Sequence, residues 1–193
     1  MTPIYSTDWT DGDVRAYVAF CAAVSITDMT APIAVWSNES NNSSTAHNPN
    51  GDASGLFQLM PATAKQLGYN TFLDPHLAAF RTMSITEQLR WAEKYYAPHK
   101  GQIGTVGAFY CSTFLPILTA HAGDPQYLLC GSAGQGPLFI PDSKAAYAQN
   151  RGFDVHGRGS IIVQDLIDAA MRQCGPKTHE LWARVLNLAT QAQ

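Results

Sequence analysis

Apolar residues recur at helical spacing over most of the chain, and residues that start or stop helices bound the segments they form. The predicted helices cover residues 11–24, 30–40, 61–68, 84–98, 105–121, 143–150, 160–173 and 177–191. The segment 105–121 is apolar on nearly every side, which predicts a central buried helix. No segment carries a strong strand pattern.

Several boundaries have a physical reason that is visible in the sequence. Ser84 and Glu87 are three residues apart, the spacing of a capping box at a helix start. Pro61 suits a first helical turn and Gly68 suits a helix end. Pro116 lies inside an apolar segment, where its missing N–H predicts a kink or a break.

Two polar segments interrupt the helical pattern. Residues 41–54 cluster Asn, Ser, Pro and Gly and predict a loop or a short irregular hairpin. Residues 123–142 are rich in Gly and Pro and predict a loop with a short helix. The fold class that follows is all-α, or α+β at most through a short hairpin.

The composition of the chain limits the kinds of partner that it is expected to bind. The 193 residues are 46% hydrophobic and 14% charged with a net charge of −3, so there is no basic footprint for nucleic acid or an anionic membrane. No apolar run approaches the roughly 20 residues of a membrane span. The N-terminal segment lacks the pattern of a secretory signal, which predicts synthesis in a cytoplasm and, for action outside it, delivery by another route.

The four cysteines do not form a CxxC pair, and each lies in or near an apolar segment. They are expected to be buried free thiols, and a disulfide pair stays open because spacing alone does not decide it. The six histidines show no metal-binding spacing. We predict no metal and no cofactor.

The stretch VWSNESNNSSTAHNPNGDASGLFQLMPATAKQLG, residues 35–68, carries the candidate chemistry. Glu39 closes an apolar helix, where burial and the negative helix end both disfavour a carboxylate and so keep the proton on the acid. Amide and hydroxyl groups follow and suit the hydroxyl and N-acetyl groups of sugars. The alternative interpretation of Glu39 is an exposed helix-end residue.

Residues 33–68 resemble the signature of the soluble lytic transglycosylase and goose-type lysozyme family. The Glu-Ser pair at a helix end is Glu39-Ser40, the segment Gly-Leu-x-Gln-x-x-Pro-x-Thr-Ala is residues 55–64, and Leu-Gly is residues 67–68. The part NPNGDASGLFQLMP, residues 48–61, is most similar to phage-encoded and virion-associated members. The resemblance covers residues 12–122 well and later residues weakly.

This resemblance implies a lysozyme-like catalytic domain over residues 1–142, with a helical C-terminal segment over 143–193 packed on the same domain. It implies cleavage of the β-1,4 bond between N-acetylmuramic acid and N-acetylglucosamine in peptidoglycan, with Glu39 as general acid and base. The product is a 1,6-anhydro sugar in transglycosylases, whereas hydrolases use water and a second carboxylate. Asp52 is the candidate for that carboxylate, and its alternative role is that of a turn residue.

The same resemblance assigns substrate-lining positions. Ser40, Ser54, Gly55 and Gln58 are expected at the cleft, with glycine letting a sugar approach the main chain. The family's Ala-Tyr-Asn motif, whose tyrosine lies near the catalytic Glu, has two imperfect counterparts. One is GAFYCS with Tyr110, and the other is AAYAQN with Tyr147 and Asn150. The sequence leaves the choice between them open.

Two function hypotheses follow. The first is a peptidoglycan-cleaving glycosidase, a phage lysin or virion-associated enzyme that acts on the cell wall, in the periplasm, with virion or tail proteins as further candidate partners. The second is a catalytically silent glycan-binding or structural virion protein with the same fold.

Residues 154–165, DVHGRGSIIVQD, have the outline of an EF-hand loop that has lost ligands. Asp154, Gly159 and Asp165 take the first, sixth and twelfth positions, but His156 and Arg158 stand at the third and fifth. An arginine cannot bind a cation, so we expect its guanidinium to take the ion's place beside Asp154 or Asp165. The alternative is a simple turn between helices in which Gly159 supplies an unusual backbone angle.

Overall fold

A computed structural model describes residues 9–48, 51–140 and 142–191 of the chain. The prediction about a secretory signal depends on residues 1–20, of which residues 1–8 lie outside the described residues. The helices are α1 Asp11–Ala23, α2 Thr30–Ser40, α3 Pro61–Gln66, α4 Ile85–Tyr96, α5 Val106–Phe114, α6 Ser143–Asn150, α7 Val163–Arg172 and α8 Pro176–Gln191. Single 3₁₀ segments span Phe80–Thr82, Ala97–His99, Pro116–His121 and Arg151–Phe153, and two short strands are β1 Leu128–Gly131 and β2 Ser160–Ile162. The predicted all-α class with a minor β element is confirmed.

The helix starts follow local capping rules. The Ser84 hydroxyl accepts the N–H of Glu87 at 3.2 Å while the Glu87 carboxylate accepts the N–H of Ser84 at 2.8 Å, which confirms the capping box. Thr10 and Asp13 form a second capping box at α1. The other oxygen of Asp13 accepts the N–H of Thr86 at 3.0 Å and so ties the start of α1 to the start of α4.

Pro116 breaks the long apolar segment rather than kinking it. Helix α5 ends at Phe114, Leu115 has φ −142° and ψ 82°, and Pro116 begins a 3₁₀ segment. A proline has no N–H to donate to the helix, so the chain changes direction here.

The strand pair corrects two expectations. Residues 160–162, predicted to start a helix, form β2, and residues 123–142, predicted as a loop with a short helix, contain β1. The two strands pair antiparallel, with Gly131 opposite Ser160. In the described part of residues 41–54, β pairing consists of two isolated bridges, from Ser54 to His47 and from Ser54 to Leu59.

The core centres on Trp36 of α2, which is fully buried. Its ring contacts those of Tyr17, Phe20, Tyr96 and Phe109, with centroids 5.7–6.5 Å apart. Each such pair adds about 0.5–1.5 kcal/mol beyond the burial of apolar area. Helix α2 packs against α5, α7 and α8, so it shares the centre of the fold with α5. The last residue but one of this central helix is Glu39.

The C-terminal helices contact α1 and α2 through specific hydrogen bonds. The Ser37 hydroxyl donates to the carbonyl of Gln173 and lies 2.9 Å from the Thr178 hydroxyl. Arg184 of α8 donates to the carbonyl of Trp9 at 3.0 Å and to Asp11 at 2.9 Å. Helices α7 and α8 therefore pack against α1 and α2.

The four cysteines are free thiols. Cys21, Cys111 and Cys130 are buried, and burial raises the pKa of these thiols to about 12, 12 and 11. Cys174 is partly buried and donates to the carbonyl of Ala170. Within the described part of the chain, no helix has the length and apolar character to cross a membrane.

Candidate active site

The end of α2 presents Glu39 at the surface of the core. Ser40 closes the helix, and its buried hydroxyl contacts the carbonyls of Trp36 at 3.0 Å and of Leu56 at 2.6 Å. Asn41 and Asn42 then adopt left-handed φ angles of 55° and 57°, which turn the chain sharply away from the helix. Asparagine tolerates this region better than most residues, so the NN pair is a local reason for the helix to stop.

Residues 54–59, here called the motif loop, form a tight reversal beside this helix end. The N–H of Ser54 donates to the carbonyl of Leu59 at 3.0 Å, and the N–H of Leu59 donates back at 2.8 Å. Gly55 and Gln58 have positive φ angles of 75° and 50°. The Gln58 side chain donates to the carbonyl of Gly55 at 3.0 Å, which stabilises the strained turn.

The side chain of Gln88, on α4, holds the motif loop in place through hydrogen bonds. Its side-chain oxygen accepts the N–H of Leu56 at 2.7 Å, and its nitrogen donates to the carbonyls of Ser44 and Phe80, both at 2.9 Å. A Cβ on Gly55 would lie 2.5 Å from the Gln88 oxygen and 2.7 Å from the Phe80 ring. The glycine is therefore needed for the loop to pack on α4, whereas the sequence suggested room for a sugar on this position.

Glu39 itself is partly exposed and accepts a 2.6 Å hydrogen bond from the Tyr110 hydroxyl. Burial raises the pKa of Glu39, and hydrogen bonds from Tyr110 and Asn38 oppose part of that rise. The acid is thus held in its neutral form at a higher pH than an ordinary glutamate, while its ionised form still has two donors.

Tyr110 connects the two central helices at this point. It lies on α5, is 1% exposed, and accepts a hydrogen bond from the side chain of Asn38. Burial, followed by the nearby Glu39, raises the pKa of Tyr110 well above its ordinary value, so its hydroxyl stays a donor. Tyr95 also lies near Glu39, and its pKa is raised by burial and then by the charge of that carboxylate.

A groove of about 260 Å³ opens beside the motif loop. Three parts of the chain form its walls: the motif loop with α3, helix α4, and α5 with the turn after it. The lining residues are Phe57, Gln58, Leu59, Met60, Thr63, Tyr95, Thr113 and Pro116. Thr113 stands one helical turn after Tyr110 and therefore on the same face of α5. Tyr95, in the wall of this groove, also lies near Glu39, and Tyr110, one turn before Thr113 on α5, donates to the Glu39 carboxylate.

The structure brings only some of the predicted site residues to the groove. Gln58 lines it. The hydroxyl of Ser54 is buried, donates to the carbonyl of Asp52 and accepts from Arg81 at 2.9 Å. Ser40 is likewise engaged with protein atoms, so these two hydroxyls hold the chain in place.

Of the two candidate tyrosines, Tyr110 contacts Glu39 and Tyr147 does not. The Tyr147 hydroxyl donates to Asp154 at 2.8 Å, and Asn150 donates to the carbonyl of Ala146 in its own helix. The carboxylate of Asp52 lies on the exposed surface 3.2 Å from the Nδ1 atom of His76. Its φ of 57° fits the turn role considered from the sequence.

Three residues at the site were not anticipated: Asn38, Tyr95 and Thr113. Thr113 could have been found from its spacing to Tyr110 along α5. Asn38 precedes Glu39 directly, but its side chain reaches Tyr110 only because α2 and α5 are adjacent. No pattern in the sequence around Tyr95 indicates that it faces the same groove. No group of three or more His, Cys, Asp or Glu side chains suited to a metal ion occurs in the segments 9–48, 51–140 and 142–191.

Comparison with known proteins agrees with this geometry. Residues 27–87, about a third of the chain, match the family model described as "Transglycosylase SLT domain". That span holds α2, the motif loop, α3 and the beginning of α4. No curated protein and no solved structure matches the chain.

We therefore identify this part of the chain as an SLT-like domain of the lysozyme-like family, in keeping with its mostly helical fold. The SLT domain indicates lytic transglycosylase activity in general, with the peptidoglycan of the bacterial cell wall as substrate.

Proposed function

We propose that this protein cleaves the β-1,4 bond between N-acetylmuramic acid and N-acetylglucosamine, with Glu39 as both general acid and general base. The observation that carries the proposal is the placement of Glu39. It is a partly exposed acid with a raised pKa, it accepts a hydrogen bond from Tyr110, and it lies near Tyr95, whose side chain lines the groove. A general acid works best when its pKa lies near the working pH.

The reaction that fits this site begins with protonated Glu39. Its proton passes to the glycosidic oxygen as the bond from that oxygen to C1 of N-acetylmuramic acid breaks. The resulting carboxylate then takes the proton of the sugar's 6-hydroxyl while O6 bonds to C1. Glu39 recovers its proton, the product carries a 1,6-anhydro ring, and Tyr110 stabilises the carboxylate between the two steps.

Transglycosylation is favoured over hydrolysis by the surroundings of Glu39. A hydrolase of this type uses a second carboxylate to activate water. Asp52, the candidate for that role, is paired with His76 on the exposed surface. The pKa of Glu39 responds to burial and to the side chains of Tyr110 and Asn38.

Polar groups along the groove suit an amino-sugar strand. We assign Gln58, Tyr95 and Thr113 to the binding of sugar hydroxyl and N-acetyl groups, because their side chains line the groove. Ser40, Ser54 and Gly55 act indirectly, since their contacts hold the motif loop against α2, the 3₁₀ segment Phe80–Thr82 and α4.

Zymography on purified cell walls tests the proposal. We expect clearing by the wild-type protein, loss of clearing by Glu39→Gln, and normal clearing by Glu93→Gln, which changes an exposed acid on α4. Mass spectrometry of the released muropeptides should find 1,6-anhydro ends. Binding to cell walls without clearing by the wild-type protein would contradict the proposal and favour the silent glycan-binding or structural alternative.

We further propose that the protein is a phage-type lysin or virion-associated enzyme. Support comes from the sequence of residues 48–61, which resembles that of phage-encoded members. Mass spectrometry of purified particles should detect a virion component. Detection in the lysate alone would support a lysin, and expression from uninfected cells without any prophage induction would contradict both.

A further inference from the structure

Residues 154–165, here called the Arg158 loop, keep the backbone plan of an EF-hand. Asp154, at the first position, accepts the N–H groups of Arg158 at 2.9 Å and Gly159 at 2.7 Å. Gly159, at the sixth position, has a φ of 72°, as the sharp turn of such a loop requires. Ile161, at the eighth position, is fully buried and pairs with Cys130 in the strand pair.

The guanidinium of Arg158 pairs with the carboxylate of the twelfth residue, which in an EF-hand binds the metal ion. Its Nη2 atom is 2.5 Å from Oδ1 and 2.6 Å from Oδ2 of Asp165, the twelfth residue. In an EF-hand the twelfth carboxylate grips the ion through both oxygens. Asp165 is 1% exposed and also accepts the N–H of Ile162, so all its contacts are internal.

The Arg158 loop adjoins the site through Phe153. This ring lies edge-on to Tyr110 with centroids 5.6 Å apart, and edge-on to Phe114 at 5.5 Å. Both partners belong to α5, and Tyr110 is the donor to Glu39. Phe153 immediately precedes Asp154, so the position of its ring follows the geometry of the loop.

Helix α7, which follows the loop, packs against α5 and α2. A Cβ on Gly107 of α5 would lie 3.0 Å from Val163 and 3.1 Å from Ile167, so the two helices approach closely. The segment that begins at residue 143 is thereby joined to both helices that carry the Glu39–Tyr110 pair.

We propose that Arg158 is a built-in cation that replaces the metal ion of an EF-hand-like loop, and that this loop positions Tyr110 against Glu39 through Phe153. Arg158 and Phe153 are then positioning residues, and the C-terminal segment is an integral part of the catalytic domain. The first half of the proposal, that Arg158 replaces a metal ion, depends on the loop alone. The second half, that the loop positions Tyr110 against Glu39, rests on the proposed function.

Thermal unfolding tests the first half. The wild-type protein should melt at the same temperature in a chelator and in millimolar calcium. Arg158→Met leaves the buried Asp165 without its cation and should lower the melting temperature by roughly 5 °C or more. The matched control, Arg172→Met, removes an exposed cation from α7 and should have a much smaller effect.

A gain of metal binding is the converse test. The double variant His156→Asp, Arg158→Asp supplies carboxylates at the third and fifth positions. It should melt lower than wild type in chelator and recover stability when calcium is added. Calcium stabilisation of the wild-type protein, an unchanged melting temperature for Arg158→Met, or no calcium response of the double variant would overturn this half.

The second half is tested by titrating Glu39 directly, by NMR of the ¹³C-labelled carboxyl group assigned with Glu39→Gln. The ionisable groups facing Glu39 are Tyr110 on α5 with Tyr95 and Tyr96 on α4. The Tyr110 hydrogen bond lowers the pKa of Glu39. Loosening that bond with Phe153→Leu should therefore raise the pKa of Glu39, as removing it with Tyr110→Phe should. The control Phe139→Leu, an exposed ring near His121, should not.

This titration needs no turnover, so it separates the two proposals. An unchanged pKa in Phe153→Leu overturns the positioning role whether or not the protein clears cell walls. If the wild-type protein is active, Phe153→Leu should also lower kcat more than it changes KM. Failure of the wild-type protein to clear cell walls refutes the proposed function and leaves the pKa result to decide the positioning of Tyr110.

Discussion

The Tyr110 hydroxyl lies 2.6 Å from Oε1 of Glu39, although the two residues are 71 positions apart in the sequence. The contact joins the end of α2, inside the SLT match, to the middle of α5, outside it. The environment of the proposed catalytic acid is thus completed by a part of the chain that the family model does not cover.

Removing this hydroxyl should change both rate and pH dependence. In Tyr110→Phe the Glu39 carboxylate loses a donor, so its pKa rises further and the loss of activity at high pH shifts upward. A hydrogen bond to a charged group contributes about 1.5–3 kcal/mol, so kcat should fall by roughly tenfold or more.

The measurement is kcat/KM against pH on solubilised peptidoglycan. Tyr69→Phe is the matched control, because its hydroxyl donates to Asp74 instead. If kcat/KM of Tyr110→Phe fell at the same high pH as that of the wild-type protein, the hydroxyl would not lower the pKa of Glu39 as assigned.

Stability should depend on pH through Glu39. Its pKa is raised in the folded protein, so the folded state holds this proton more tightly than the unfolded chain does. The stability that protonated Glu39 contributes is fully present below the pKa of the unfolded chain, about 4.3. It is lost as pH rises through the pKa of Glu39 in the folded protein.

Glu39→Gln removes this dependence. The free energy of unfolding of Glu39→Gln, minus that of the wild-type protein, should therefore increase as pH rises from the unfolded to the folded pKa of Glu39. Urea unfolding at a series of pH values measures the difference, and a constant difference between the two proteins would show that the folded pKa of Glu39 is not raised.

Gly55→Ala should be strongly destabilising. A side chain here faces a positive φ of 75° and clashes with Gln88 and Phe80. Strain and overpacking together should cost roughly 2–4 kcal/mol. Gly101→Ala is the control: its φ is 77°, but apart from its chain neighbours no described atom lies within 4 Å of the added carbon, so only about 1 kcal/mol is expected. Equal losses in urea unfolding would show that the contacts with α4 are unimportant.

Asp52→Asn should leave activity within about twofold of wild type, because its exposed pair with His76 is weak and it does not activate water in a transglycosylase. The muropeptides should keep their 1,6-anhydro ends. A large loss of rate, or products with reducing ends in the wild-type protein, would instead indicate hydrolysis with Asp52 as base.

The sequence was informative wherever the determinant is local. The capping box at Ser84, the proline at the start of α3 and the break at Pro116 depend on residues a few positions apart, and the helices follow them closely. The strand pair was missed because each strand has three or four residues, and Gly131 meets Ser160 across a long separation. Such short segments carry too little alternation to reveal a strand.

The same division applies to the site. Glu39 and Gln58 could be singled out because their motif is contiguous in the chain. Choosing Tyr110 over Tyr147 required knowledge of which helix lies beside α2, which is a property of packing. The internal role of Gly55 was hidden for the same reason, since Gln88 is 33 residues away along the chain.

The three hydrogen bonds of Gln88 have a consequence for how a ligand enters. One amide contacts Ser44, Leu56 and Phe80, so the motif loop, which forms one wall of the groove, is tied to the segments around Ser44 and Phe80. Under the proposed function, a glycan strand therefore meets a groove wall that is already ordered, and we expect little chain entropy to be lost on association. Affinity in such a preorganised receptor is governed by complementarity to the strand rather than by closure around it.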